Sequence, residues 1–317
     1  MMKFLVGRLF LAVFVLWLVS ILVFVGTQLL PGDVAQLALG QYATPESVAT
    51  LRLQMGLDQP AAVRYWHWFS AMLQGDWGQS TASNMAVGKM ITGRAANTAI
   101  LAGVTVLVAV PLAIFLGLCM SLGTGKWLDR VASIMVLSLS AAPEFLIATL
   151  AVLFFAVKLQ WLPAISYLTP GADFESTVKA MLLPVATLVI VVTAQIARMT
   201  RAIIVNLLSQ PFAEMAMLKG VSRWNIVRKH ALIMAVGPLA NVVALNAAYL
   251  VSGVVVVETI FSYSGLARLM TDAVLARDMP VIQACAMLFS AVYVVLILLS
   301  DTLATVFDVR RNAITQS

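Results

Sequence analysis

This sequence predicts an all-α polytopic membrane protein with six transmembrane helices, and three observations predict it. Of its 317 residues, 62% are hydrophobic and 11% are charged, with a mean hydropathy of +0.97. An average soluble domain carries about 25% charged residues. The apolar residues gather into six runs, near 9–30, 98–122, 130–157, 180–205, 238–259 and 281–304, each matching the ~20 residues that cross a bilayer. The basic residues sort unequally between these runs. Lys3, Arg8, Lys126, Arg130, Arg198, Arg201, Lys219, Arg223, Arg228, Lys229, Arg310 and Arg311 fall on one side. Arg52, Arg64, Lys89, Arg94, Lys158, Lys179, Arg268 and Arg277 fall on the other, where eight acids balance them. The side richer in uncompensated Lys and Arg is cytoplasmic. Six spans return the chain to the side it started from, so both termini are expected in the cytoplasm.

The first run follows Lys3 and Arg8, as a secretory signal would. It is longer than a signal's apolar region, and Pro31-Gly32-Asp33 follows it in place of a small-residue cleavage site, so it reads as an uncleaved span. In the outer segment, about 31–95, Thr44 is placed to cap a helix that starts at Pro45 and runs through Met55. Leu57-Asp58-Gln59-Pro60 then breaks the chain, and Gly75-Asp76-Trp77-Gly78 reads as a turn. Tyr65, Trp66, Trp68, Phe69 and Trp77 are aromatics of the kind that settle at a membrane interface.

The middle runs are rich in small residues such as Gly103, Ala109, Ala113, Gly117, Ala244 and Ala248, which let helices approach closely in lipid. Pro111, Pro143 and Pro184 lie in or at the start of runs, and each removes a backbone hydrogen bond and can kink a span. Ionisable residues inside the membrane mark pathways by default. Glu144 follows Pro143 in the third run, Glu258 ends the fifth and Asp301 lies near the inner end of the sixth. Glu144 either faces a pathway or pairs with a neighbouring span.

Between the fourth and fifth runs, Pro211 to Pro238 form a polar, basic island. Phe212 to Lys219 has helical periodicity, Gly220 interrupts it, and Ser222 is placed to cap a second helix ahead of Trp224. A folded basic elbow on the cytoplasmic side suggests a docking element. After the fifth run, residues 258–280 form an amphipathic outer segment. There Ser264-Gly265 precedes a helix whose apolar set is Leu266, Leu269, Met270, Ala273 and Val274. This segment reads as tucked against the outer mouth of a pathway.

Catalytic motifs are missing. Gly123-Thr124-Gly125-Lys126-Trp127 lacks the spacing and hydroxyl of a phosphate-binding loop, and neither H-E-x-x-H nor G-x-S-x-G occurs. His67 and His230 are too few and too far apart for a metal site, and Cys119 and Cys285 read as buried free thiols. The net charge of +6 belongs to the membrane flanks rather than to a nucleic-acid surface. Two other classes stay open on these residues alone, an ion-coupled secondary transporter and a membrane scaffold or insertase. The first needs coupling-ion ligands and inverted repeats, and no convincing internal repeat is visible. Polar residues within the spans, among them Ser138, Thr187, Thr193, Asn241 and Asn246, favour transport.

Taken together, these motifs resemble the permease subunits of bacterial ABC importers, in the oligopeptide, dipeptide and nickel branch and in the first of its two permease types. The elbow is similar to the family's Glu-Ala-Ala-to-Gly coupling motif, standing here as Glu214-Met215-Ala216 with Gly220, with Arg198 and Arg201 before it and His230 and Pro238 after it. Arg8-Leu9, Pro31-Gly32-Asp33, Leu57-Asp58-Gln59-Pro60, Gly75-Asp76-Trp77-Gly78-Gln79-Ser80, Leu162-Pro163-Ala164 and Leu183-Pro184 match in order. So do Glu258-Thr259-Ile260-Phe261, Gly265-Leu266, Arg277-Asp278-Met279-Pro280 and Asp308-Val309-Arg310. The chain departs from the pattern at Met215, at Val34, at Ser264 and Ala267, and at Val309.

The resemblance implies the type I ABC importer transmembrane fold. It divides the chain into residues 1–95, the first helix and extracytoplasmic segment, and 96–317, a core of five transmembrane helices with a coupling helix near 211–222. It also implies a multi-pass subunit of the bacterial inner membrane, paired with a second homologous permease in the lipid. Two cytoplasmic ATPase subunits would carry ATP and Mg, with no cofactor on this chain, and an extracytoplasmic binding protein would deliver di- or oligopeptides. Nickel chelates or another small solute are the alternative cargo. Glu214, Met215, Ala216, Lys219 and Gly220 would couple to the ATPase. Glu258, Phe261, Gly265, Arg268 and Asp278 would form the outer-mouth loop, and Glu144 would face the pathway.

Overall fold

Inside a hydrocarbon layer every backbone N–H and C=O has to be satisfied within the chain, and long apolar segments meet that demand as helices. The computed structural model describes residues 2–29, 36, 39, 43–54, 56–167, 171 and 173–306. Met55, Pro31-Gly32-Asp33, Val34 and the Asp308-Val309-Arg310 motif lie outside the described residues. The main helices are α1 (Met2–Gln28), α2 (Pro45–Gln54), α3 (Ala61–Leu73), α4 (Val87–Leu122), α5 (Trp127–Ala141) and α6 (Glu144–Ala151). They continue with α7 (Phe174–Leu208), α8 (Pro211–Leu218), α9 (Arg223–Ile226), α10 (Leu232–Ile260), α11 (Leu266–Ala276) and α12 (Met279–Val306). A π-helical turn, Val152–Lys158, extends α6, and another, Val227–Ala231, joins α9 to α10.

Among the described residues, five helical segments are long and apolar enough to cross a membrane: Val6–Gln28, Val87–Leu122, Phe174–Leu208, Arg223–Ile260 and Met279–Thr305. The third span expected over 130–157 is broken, because α5 and α6 meet at a bend of 100°. Ala142 (ψ 134°) and Pro143 (ψ 137°) are both extended at the break. The proline ring keeps the preceding residue out of the helical region and supplies no N–H to carry the ladder across. Pro111, Pro184 and Pro238, by contrast, lie inside continuous helices. α4 and α7 also start well before their apolar runs, since hydropathy marks contact with lipid rather than the end of a helix. At α7 the polar start is capped by Asp173, whose carboxylate accepts from the Ser176 N–H at 3.3 Å.

The chain forms two compact units, Met1–Thr98 with Ser264–Val294, and Ala99–Tyr263 with Val295–Ser317. In the first, Val87, Ile91, Leu266, Leu269, Ala273, Val281, Ala284 and Cys285 make an apolar core with Trp77 against it. The expected cap of α2 is present, with the Ser47 N–H donating to Thr44 Oγ1 at 3.2 Å. The aromatics of α3 pack on α1: Tyr65 meets Phe24 edge-on at 5.5 Å, and its hydroxyl lies 2.8 Å from Ser20 Oγ.

In the second unit α7 is the most buried span, and its Leu188, Val192 and Ile196 join Leu101, Ala109, Val254, Val257, Phe261 and Tyr263 in the core. Gly117 sets the approach of α4 to α7. A Cβ there would stand 2.5 Å from Thr200 Cβ and 2.8 Å from the Ala197 carbonyl, distances no side chain tolerates. Of the two cysteines expected to be buried, Cys285 is and Cys119 is exposed.

Candidate functional site

The elbow follows directly from local sequence. Pro211 occupies the first helical position of α8, where its missing N–H costs nothing. At the other end the Gly220 N–H donates to the Met217 carbonyl at 2.9 Å, and the Val221 N–H to the Ala216 carbonyl at 3.1 Å. This pair of bonds requires a left-handed residue between them, and Gly220 supplies it at φ +79°. Nothing lies within 4 Å of a Cβ built there, so glycine is needed for its backbone rather than for space. Ser222 then caps α9, its hydroxyl accepting from the Asn225 N–H at 3.4 Å.

The elbow has two faces. Ala213 is fully buried, and Phe212 and Ala216 pack beside it on Ile204, Leu208, Ile226, Val227, Ala231, Ala235 and Leu239. The opposite face exposes Glu214, Met215, Lys219 and Gly220, together with Met217 and Val221, and Leu218 is 84% exposed. No side chain caps α8, so Glu214 does not cap its own helix. Among the described residues its carboxylate has no hydrogen-bond or ionic partner. The result is a short helix fixed from beneath, presenting methionine, leucine and one acid outward. Exposed apolar clusters of this kind mark contact surfaces.

A side-chain pair that sequence reasoning missed braces the same unit. Arg201 of α7 donates from Nε to Asp129 Oδ1 and from Nη2 to Oδ2, both at 2.7 Å. This two-pronged geometry is the strong form of the contact. Asp129, in the first turn of α5, also accepts from the Gly125 N–H at 3.3 Å and from Ser133 Oγ at 3.3 Å. The α4–α5 turn is thereby tied to α7 seven residues before α7 ends at Leu208. The one faint signal in the sequence was an acid on the side where acids are few. Arg198, one turn earlier, is exposed.

The five residues expected at the outer mouth are mostly interior. In the second unit Glu258 and Phe261 are fully buried, because α10 continues to Ile260 and carries Glu258 into the packed core. Beside them, burial and the charge of Glu258 push the Tyr263 phenol upward. In the first unit Gly265 and Asp278 are buried, and only Arg268 reaches solvent, its Nε 3.0 Å from Asp272 Oδ1. Asp278 is an organising group there. It accepts from the hydroxyls of Ser80 and Thr81 and from the N–H groups of Thr81 and Ala82. Just before it, α11 ends on Arg277 at φ +55°. Gly75-Asp76-Trp77-Gly78 is the turn expected, with Asp76 accepting from the Gly78 N–H at 2.9 Å.

Glu144 is the first residue of α6 and is half-buried. Of its two expected arrangements, pairing with a neighbouring span is not seen among the described residues. Among the described residues it has no hydrogen-bond or ionic partner, and its carboxylate lies over the backbone of Gly253 in α10.

Residues 109–312 match the family described as the binding-protein-dependent transport system inner membrane component. Residues 1–110 match the family described as the N-terminal part of the binding-protein-dependent transport system membrane component. The glutathione transport system permease proteins of Salmonella typhi and of Escherichia coli are each 36% identical to the chain over 303 residues, 96% of both chains. A solved chain from the inward-facing conformations of the MetNI methionine ABC transporter superposes with a TM-score of 0.57 at 16% identity. It covers 69% of this chain and 96% of its own, which establishes the fold.

Proposed function

The chain belongs to the binding-protein-dependent transport inner membrane components, the permease subunits of ABC importers, and we propose that it forms one half of a translocation pathway for peptides. The peptide assignment is supported by relatives named for glutathione transport, glutathione being itself a small peptide. In this reading the five helices of residues 96–317 form the permease core, and a second, homologous permease completes the pathway. A binding protein delivers cargo from outside. The chain itself does no catalysis, and two ATPase subunits inside bind ATP and Mg. The excess of Lys and Arg beside the elbow orients it, and with it both termini, toward the cytoplasm.

The observation that carries the coupling role is the two-faced elbow. Ala213 and Ala216 fix α8 onto the bundle, and Glu214, Met215, Leu218, Lys219 and Gly220 are left exposed at a turn whose shape the Gly220 backbone sets. A short helix held rigidly from one side passes a partner's motion to the spans as a rigid body, and two packings of one bundle then give alternating access. ATPase closure would move the elbows together and open the pathway outward, and hydrolysis would reset it.

The test is purification of the tagged chain in mild detergent with identification of its companions by mass spectrometry. The reading expects a second permease of the same family and an ATPase bearing a phosphate-binding loop. Recovery of a monomer or homo-oligomer alone across several detergents would refute it. Screening the co-purifying binding protein against peptides and nickel chelates then decides the cargo class.

A further inference from the structure

Glu144 stands where α5 stops and α6 starts. The 15 residues of α5 rise about 22 Å at 1.5 Å each, too short to cross the ~30 Å of a hydrocarbon core alone, which puts its end within that core. There the chain turns by 100° through two extended residues. Non-helical backbone at membrane depth is tolerated where it is buried in protein or lines a polar cavity. Broken spans at that depth are where transporters commonly place cargo and coupling ions. A carboxyl group at this point is costly unless something answers its charge, and among the described residues nothing does so.

The opposite wall is made for it. A Cβ on Gly253 would come within 2.8 Å of Glu144 Oε2, 3.1 Å of Oε1 and 3.2 Å of Cδ. The carboxylate therefore occupies the space that any side chain at position 253 would fill, and the missing Cβ lets it lie against α10. That leaves one acid with its hydrogen-bonding capacity unused, half open to its surroundings. One carboxylate suits a monovalent cation with several N–H donors. A metal ion needs a larger ligand set, and the described residues contain no group of three or more His, Cys, Asp or Glu that could hold one.

Resting on the peptide-importer reading above, we propose that Glu144, seated on Gly253 at the break of the third span, receives the free ammonium group of the peptide cargo during its passage. Such a contact favours peptides with an unblocked amino terminus over blocked ones.

The complete transporter, with its second permease, ATPases and binding protein, is reconstituted in liposomes. Uptake of trialanine and of N-acetyl-trialanine is measured per ATP hydrolysed for wild type, Glu144→Gln, Glu144→Asp and Gly253→Ala. Glu144→Gln should lower the trialanine quotient about tenfold, the loss expected when one charge-assisted hydrogen bond is removed. The N-acetyl-trialanine quotient should be the same in both. Glu144→Asp should keep most of the trialanine quotient, and Gly253→Ala should lower it by displacing the carboxylate. An unchanged quotient in Glu144→Gln, or an equal fall for both peptides, overturns the proposal. So does loss of the second permease from the purified Glu144→Gln complex, which would make Glu144 a contact between subunits. A wild-type transporter that imports neither peptide refutes the peptide-importer reading itself, before any variant is made.

Discussion

Two short helices, α8 of the elbow and α11 of the outer segment, end with the same backbone device and complete it differently. In each, the N–H of the residue after a left-handed one returns to a carbonyl in the helix's last turn: Val221 to Ala216 at 3.1 Å, and Asp278 to Ala273 at 2.9 Å. In each, the residue between is left-handed, Gly220 at φ +79° and Arg277 at φ +55°. A left-handed backbone costs a side-chain-bearing residue about 1–2 kcal/mol. The outer turn tolerates Arg277 because its neighbour Asp278 is buried and accepts four hydrogen bonds from Ser80, Thr81 and Ala82. The elbow has no such anchor. Its next residue, Val221, is exposed, and only glycine reaches the conformation without cost. The difference separates a turn whose contacts are satisfied inside the chain from one whose outer face is left to be satisfied by something else.

Removing each turn's support should have distinct consequences. Asp278→Ala strips the acceptor from four donors, on buried Ser80, half-buried Thr81 and exposed Ala82, and should lower stability by about 3 kcal/mol, read as a fall in melting temperature in detergent. Asp129→Ala leaves the part-buried Arg201 guanidinium without its partner and should cost about 2–3 kcal/mol, again with a lower melting temperature. Gly220→Val forces a β-branched residue to positive φ and should cost about 2 kcal/mol. Because nothing clashes at that site, the chain should still insert in the membrane at wild-type level while transport is lost. Normal uptake by Gly220→Val would remove the elbow's role. The smallest effect is a gain. Arg277→Gly relieves the left-handed strain and should raise stability by roughly 0.5 kcal/mol, the benefit being offset by glycine's greater freedom in the unfolded chain.

Much of the elbow could be read in advance because its determinants are local. Pro211 before the helix, Gly220 after it and Ser222 as the next cap act within a few residues of one another, and each has its own stereochemical reason. The same holds for Thr44 and Pro45 at α2, and for the apolar set of α11, of which Leu266, Leu269 and Ala273 are buried. The break at Ala142 and Pro143 was half legible. Pro143 announced a kink, but an apolar run carries no information about the angle through which it turns. What escaped entirely was non-local. Asp129 meets Arg201 across 72 positions and Asp278 meets Ser80 across 198, pairings that only the packing of the helices decides. Glu258 and Phe261 were expected at the outer mouth, yet Glu258 lies on α10 inside the packed core and Phe261, just past its end, is fully buried.

If the elbow's exposed face is a docking surface and the outer turn is closed on itself, the two turns should respond differently to the same change. Two leucines at equivalent positions test it. Leu218 and Leu275 each stand two residues before the left-handed residue, and they are 84% and 80% exposed. Each is replaced by glutamate, and the amount of ATPase that co-purifies with the tagged chain is measured at equal permease recovery. Leu218→Glu should lose the ATPase and Leu275→Glu should retain it. Full retention in Leu218→Glu, or equal loss in both, would contradict the docking role.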